Sequence, residues 1–294
     1  MKNIRTDLAV EALSGASGDA GELPGVEARE ETVRGFPLTR VEVRTEEGAR
    51  RLGKPRGVYL TLALDAWVRR REAAFDDAAG ALSDCVRPLL PASDDPPGGP
   101  ILVAALGNEA VTPDALGPLT ARQLCVTRHL LRAMPEALRG LRPVACVAPG
   151  VLGTTGIESV ELVRTAAARV EPVCVVAVDA LAARSMDRLC TAVQISDAGI
   201  VPGSGVGNAR AAFDRETLGV PVIAVGVPTV VDAGVLAREL TGEAGPPPEG
   251  GARMIVTPRE IDVRVSDMAK VIGRGLNLAF HDGAGAEMFE TLLG

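Results

Sequence analysis

The stretch ILVAALGNEAVTPDALGP, residues 101–118, decides the fold class. Six apolar residues in a row, with no polar alternation, are what a strand buried on both faces presents. The run then empties into a loop that holds Asn108, Thr112, Pro113 and the carboxylate Asp114, with no lysine to meet a phosphate. Three more short apolar runs follow the same plan, at residues 144–148, 173–178 and 220–225. The segments between them, residues 115–138, 157–170 and 185–192, have helical spacing. Alternation of buried strands with amphipathic helices predicts an α/β fold: three layers, α/β/α, around a mixed, mainly parallel sheet of the phosphorylase/hydrolase-like kind.

Composition agrees. Of 294 residues 47% are apolar but only 2% aromatic, so the core must be built from Ala, Val, Leu and Ile. A net charge of -7 argues against a surface that coats nucleic acid, which needs clustered Lys and Arg. Five cysteines, an odd number without a C-x-x-C pair, read as reduced core residues of a cytoplasmic protein. Asp7 and Glu11 interrupt the place where an export signal needs an apolar run. The longest apolar stretch, around residues 220–231, contains two prolines and is too short to cross a bilayer. The expectation is a soluble protein with neither a membrane nor a nucleic acid as direct partner.

Outward from the quoted stretch, residues 1–35 read as a loosely held N-terminal segment. Residues 38–44 and 57–64 alternate as a hairpin, with turn chemistry at Glu46-Glu47-Gly48. An amphipathic stretch spans residues 76–90, and a Pro/Gly-rich connection occupies residues 91–99. Thr155 with Glu158 predicts one helix cap; Thr257-Pro258-Arg259-Glu260 predicts another, opening a helix to about residue 280. Residues 246–251 read as a surface excursion, and no internal repeat is present.

Catalysis in such sheets gathers beyond the strand carboxyl ends. Asp114 and Asp179 each follow a buried run there, 65 residues apart by 179 - 114. On neighbouring strands they would face one crevice, where two close carboxylates share a proton and can activate water; alternatively Asp114 only caps a helix. The loop at residues 199–208, with Gly203, Ser204, Gly205 and Asn208, offers backbone amides to an anion or oxyanion, or is simply a tight turn. It lacks the third glycine of a dinucleotide fingerprint, and Pro202 before Ser204 excludes a G-x-S-x-G elbow. His129 reads as a packed or surface histidine, His281 as the end of the last helix, and no H-E-x-x-H is present.

Taken together, these motifs resemble the germination proteases of spore-forming bacteria, similar in fold to hydrogenase-maturation proteases. The resemblance rests on RTDLAVEA (5–12), GN (107–108) with VTPDALGP (111–118), APGVLGTTGIE (148–158), VDALAARS (178–185), QISDAG (194–199), PGSGVGN (202–208), GVPTVVDA (226–233) and VTPREID (256–262). It implies an endopeptidase without a cofactor or metal that begins the degradation of small acid-soluble spore proteins during germination, in the forespore and spore core. It implies Asp114 and Asp179 as the catalytic pair, and a homo-oligomer, a tetramer. Asn108 and residues 203–208 then become candidates, on donor chemistry, for positioning substrate or holding the oxyanion. The family cuts after an acidic residue followed by a large apolar one and Ala, and is made as a self-processing zymogen. Asp7-Leu8-Ala9 fits that pattern, which predicts self-cleavage between Asp7 and Leu8, a prosegment of residues 1–7 and one peptidase domain from residue 8 to 294. Two rivals stand beside this reading: a metal-dependent maturation-type protease with Asp114 and Asp179 as nickel or zinc ligands, and a non-enzymatic nucleotide-binding protein using residues 199–208.

Overall fold

The structure, a computed structural model, describes residues 6–16, 23–65, 74–92, 98–136, 138–241 and 254–281. The segment expected as a surface excursion at residues 246–251 and most of the candidate prosegment lie outside the described residues.

Among the described residues nine strands form one sheet. In chain order they are β1 (Val26–Val33), β2 (Phe36–Val43), β3 (Gly57–Ala63), β4 (Ile101–Ala105), β5 (Val144–Val147), β6 (Cys174–Ala183), β7 (Ala192–Ser196), β8 (Val222–Asp232) and β9 (Ile255–Val256). Their spatial order is β1-β2-β3-β7-β8-β6-β4-β5, with β9 on β8. The four apolar runs of the sequence are the parallel block β5-β4-β6-β8. β7 runs antiparallel to β8 and to β3, and so welds the N-terminal meander onto that block. The sheet is mixed as expected, but antiparallel pairings outnumber parallel ones, because the meander and β9 contribute only antiparallel neighbours.

Helices cover both faces. On one, α3 (Ala74–Val86), α4 (Leu116–Ala121) and α10 (Ile261–Phe280) pack on Val103, Val176, Val178, Ile195, Ile223 and Val225. Helix α10 presents Val265, Met268, Ala269, Ile272, Leu276 and Ala279, an i, i+3, i+4 stripe. Each fully buried aliphatic side chain contributes about 1.5–3 kcal/mol. Gly275 lets α10 approach α3 closely, since a Cβ there would lie 2.8 Å from Ala79 O. On the opposite face α7 (Ser159–Val170) places Val160, Val163 and Ala167 against Leu102, Ala104, Val175 and Ala177.

Several local expectations are corrected. Residues 9–16 are helix α1 and residues 26–33 are β1, so these two stretches of the segment expected as loose are regular structure. Glu46-Glu47-Gly48 opens a helix, α2 (Glu46–Leu52), whose N-cap is Thr45, its Oγ1 accepting from Gly48 N at 3.0 Å. The predicted helix over 115–138 is two short ones, α4 and α5 (Arg128–Ala133). Asn277, projecting from α10, takes up the break: its Oδ1 accepts from Cys125 N at 2.9 Å and its Nδ2 donates to Gln123 O at 2.8 Å. Residues 185–192 hold only a 3-10 turn, Met186–Arg188, before β7. Neither predicted capping box forms: Thr155 Oγ1 accepts from Ile157 N at 3.2 Å, and Thr257 Oγ1 donates to Thr229 O at 2.8 Å. Among the described residues no helix is long and apolar enough to cross a membrane.

Candidate active site

The site begins where β4 ends. Leu106 N still donates to Val178 O at 2.8 Å, holding the strand end against β6. Gly107 then takes φ 113°, a conformation open to glycine, and reverses the chain. A Cβ there would sit 2.0 Å from Asp114 O, so the loop closes on itself at this residue. Asn108 Oδ1 accepts from Ala110 N at 3.0 Å, and Asn108 N donates to Asp114 Oδ2 at 2.8 Å. Asp114 thus ends the 3-10 turn Thr112–Asp114 as a half-buried carboxylate aimed back at the loop's first amide.

Asp179 does not follow its strand, as the apolar run suggested, but lies within it. β6 continues to Ala183 because β8 continues beside it, through a bulge at Leu181/Ala182. The residue is only 4% exposed. Its Oδ1 accepts from Ala180 N at 3.0 Å. Asp114 and Asp179 line one cavity of about 390 Å³ with Asp7, Asn108, Gly203 and Asn208. Burial pushes the Asp179 carboxyl well above the ordinary carboxylate range, and the charges of Asp114 and then Asp7 push it further; the Ala180 N–H pulls the other way. Burial also raises Asp114, against the Asn108 N–H that favours its charged form.

The glycine loop folds onto itself. Ser204 N donates to Val201 O, Gly207 N to Ser204 O and Asn208 N to Gly203 O, so those amides are occupied within the loop. What the loop extends outward is the Ser204 hydroxyl, which donates to Asp7 Oδ1 at 2.6 Å. Asp7 Oδ2 accepts from Ala182 N at 2.8 Å, and Gly205 gives it space, since a Cβ there would lie 2.2 Å from that oxygen. Leu8 is fully buried with Leu181, Leu189 and Val231, immediately before α1 begins at Ala9. Glu11 fixes the segment further on, accepting from Arg184 N at 2.6 Å and Ser185 N at 3.0 Å.

Three residues that hold this segment escaped the sequence reading: Lys54 and Gln194, whose Nζ and Nε2 donate to Asp7 O at 3.0 and 2.9 Å, and Glu11. Gln194 had a signal, a polar residue at an inward position of the run AVQIS. Lys54 is one of three lysines in a chain that otherwise uses arginine, but nothing in its neighbours pointed to residue 7. His129 is exposed on α5 and His281 is the buried C-cap of α10, pulled down to about 4 by burial; neither lines the cavity. Among the described residues no group of three or more His, Cys, Asp or Glu is placed to hold a metal ion.

Comparison with known proteins gives a consistent result. The family model described as germination protease matches residues 5–242. A germination protease of Caldanaerobacter subterraneus subsp. tengcongensis is 38% identical, over 99% of this chain and 98% of its own. One from Geobacillus sp. is 36% identical, over 96% of this chain and 95% of its own. One from Priestia megaterium is 35% identical, over 98% of this chain and 96% of its own.

Proposed function

The chain belongs to the germination protease family, proteases of spore germination, and from that premise we propose that it is an endopeptidase that uses Asp114 and Asp179 as a water-activating pair. Small acid-soluble spore proteins are its substrates, and it acts in the spore core. It is made as a zymogen that cuts itself between Asp7 and Leu8, releasing residues 1–7 and leaving residues 8–294 as the peptidase domain.

The observation that carries this reading is the shared cavity, with two carboxyls whose proton affinities are both raised and raised unequally. Asp179, the more deeply buried, keeps its proton and is the acid. Asp114, half-exposed and with an N–H directed at its charged form, is the base that takes a proton from water. The water oxygen adds to the scissile carbonyl carbon as one of its protons passes to Asp114, and Asp179 gives its proton to the scissile nitrogen as the tetrahedral adduct collapses and the amine leaves. The seating of Asp7 on Ser204 Oγ and Ala182 N supports a preference for an acidic residue before the cut.

The experiment compares wild type with Asp114→Asn and Asp179→Asn on a purified spore protein, with and without EDTA. Each variant should lose activity by a factor on the order of 10²–10⁴, with EDTA without effect on wild type. A fully active variant removes that residue from the mechanism, and wild-type activity lost to EDTA would favour the metal-dependent rival.

A further inference from the structure

Residue 7 is held at its carbonyl as firmly as at its carboxylate. Asp7 O accepts from Lys54 Nζ at 3.0 Å and from Gln194 Nε2 at 2.9 Å. The orientation of the Gln194 amide is fixed from its other end, where Oε1 accepts from Ala9 N at 2.7 Å. Gln194 therefore spans Leu8, from the carbonyl before it to the amide after it. Lys54 reaches it from the turn after α2, where Gly53 at φ 70° ends the helix. Its Nζ also donates to Thr6 O at 3.0 Å.

The sheet relates this clamp to the carboxyl pair. Gln194 on β7 is the register partner of Gly226 on β8, and Gly226 is the register partner of Asp179 on β6. In-register residues share a face, so Gln194 and Asp179 end a row of three about 10 Å long. Gly226 adds no side chain to that row, and Leu181 folds into the space, where a Cβ on residue 226 would meet its Cγ at 2.6 Å. Two residues, Asp7 and Leu181, border both the cavity of the carboxyl pair and a second one of about 740 Å³ that contains Lys54 and Gln194. Residue 7 thus sits in the partition, with the water-activating groups on one side and two N–H donors on the other.

We propose that Lys54 Nζ and Gln194 Nε2 form the oxyanion site for cleavage of the Asp7–Leu8 bond, and of any substrate bond that takes its place. The inference rests on the aspartate-pair reading above. Both donors lie within the distances such sites require, and an ammonium gains far more against a full oxyanion than against a neutral carbonyl. Burial pulls the Lys54 ammonium below its ordinary range, while the Asp7 and Glu11 charges support it. Water oxygen adds to the Asp7 carbonyl carbon, its proton passes to Asp114, and the former carbonyl oxygen becomes an oxyanion bound by the clamp. The Asp179 proton is then free for the Leu8 nitrogen as the C–N bond breaks, leaving an amine on Leu8 and a new carboxyl group on Asp7 whose proton restores Asp179 to its protonated form.

The test uses the full chain with two readouts: the rate at which it generates a Leu8 N-terminus, by mass spectrometry, and steady-state cleavage of a separate peptide, NIRTDLAVEAL, residues 3–13 of this sequence. Lys54→Met and Gln194→Glu, the latter keeping the acceptor for Ala9 N, should each lower self-cleavage and the peptide kcat on the order of 10²- to 10³-fold. KM should stay within about threefold of wild type, and Lys54→Arg should recover at least about tenfold over Lys54→Met. If both kcat values stay within about threefold while Asp179→Asn abolishes cleavage, the clamp only anchors the segment and the proposal is overturned with the aspartate pair intact. A rise in KM alone would overturn it equally. If instead Asp114→Asn and Asp179→Asn cleave as wild type, the pair is wrong, and Lys54→Met and Gln194→Glu still decide the clamp by their own kcat. Should Lys54→Met fail to fold, Gln194→Glu decides it.

Discussion

Replacing Gly107 by Ala tests whether the loop that carries Asp114 is built as described. At φ 113° an L-residue carries backbone strain of about 1–3 kcal/mol. Its Cβ would lie 2.0 Å from Asp114 O, a backbone atom that cannot swing aside as a side chain would. Overlap of that kind costs a further 1–3 kcal/mol or so. Held in place, the loop would therefore bear about 2–6 kcal/mol, comparable with a large part of a domain's total stability. The 3-10 turn Thr112–Asp114 is short, so part of the stress should be relieved by moving it, breaking the 2.8 Å bond from Asn108 N to Asp114 Oδ2. A displacement of about 1 Å at a reacting group costs about 100-fold in rate. Urea denaturation of Gly107→Ala should show a loss of at least about 2 kcal/mol, and peptide cleavage should fall by about two orders of magnitude. A variant within about 0.5 kcal/mol of wild type and with its full rate would refute the account of this loop.

Two predictions concern stability alone. The folded-state pKa of Asp179 is raised, by burial first and by Asp114 and Asp7 after it, so the folded chain holds a proton that the unfolded chain releases near pH 4. That stabilisation is complete below the unfolded pKa and is lost as pH rises through the folded one. Asp179→Asn has no such proton to lose, so its urea midpoint should gain on wild type progressively from about pH 4 upward; a gap constant with pH would contradict the assignment. Asn277→Ala removes both partners from Cys125 N and Gln123 O and should cost about 2–4 kcal/mol, read as a fall in urea midpoint with unchanged slope. A loss below about 0.5 kcal/mol would mean that the break between α4 and α5 is held by something else.

The parallel block was legible because each of its strands is buried on both faces, and that condition writes itself into consecutive residues. The antiparallel half was not. β7 owes its existence to partners more than a hundred residues away on one side, and AVQIS alone is short enough to end a helix as readily as to make a strand. The same holds for the break at residues 122–127, where local spacing favours one long helix and Asn277, from the far end of the chain, stabilises the alternative. At the site, Asp114 and Asp179 were legible as carboxylates beside buried runs. Their depth was not, since the extension of β6 past Asp179 depends on β8 continuing alongside. The glycine loop was readable as a loop but not in its orientation: the amides of Ser204, Gly207 and Asn208 bond within it and the Ser204 hydroxyl reaches out. Lys54 and Gln194 become neighbours only when α2 and β7 are assembled around residue 7.

The five cysteines are all free, four of them buried and Cys146 half-buried, and burial pushes their thiols up to about 11 or 12. At neutral pH only about one in ten thousand or fewer is in the thiolate form that peroxides and electrophiles attack. With no bridge to reduce and no thiolate-rich cysteine to oxidise, the fold carries no cysteine through which the redox state of its surroundings could alter it.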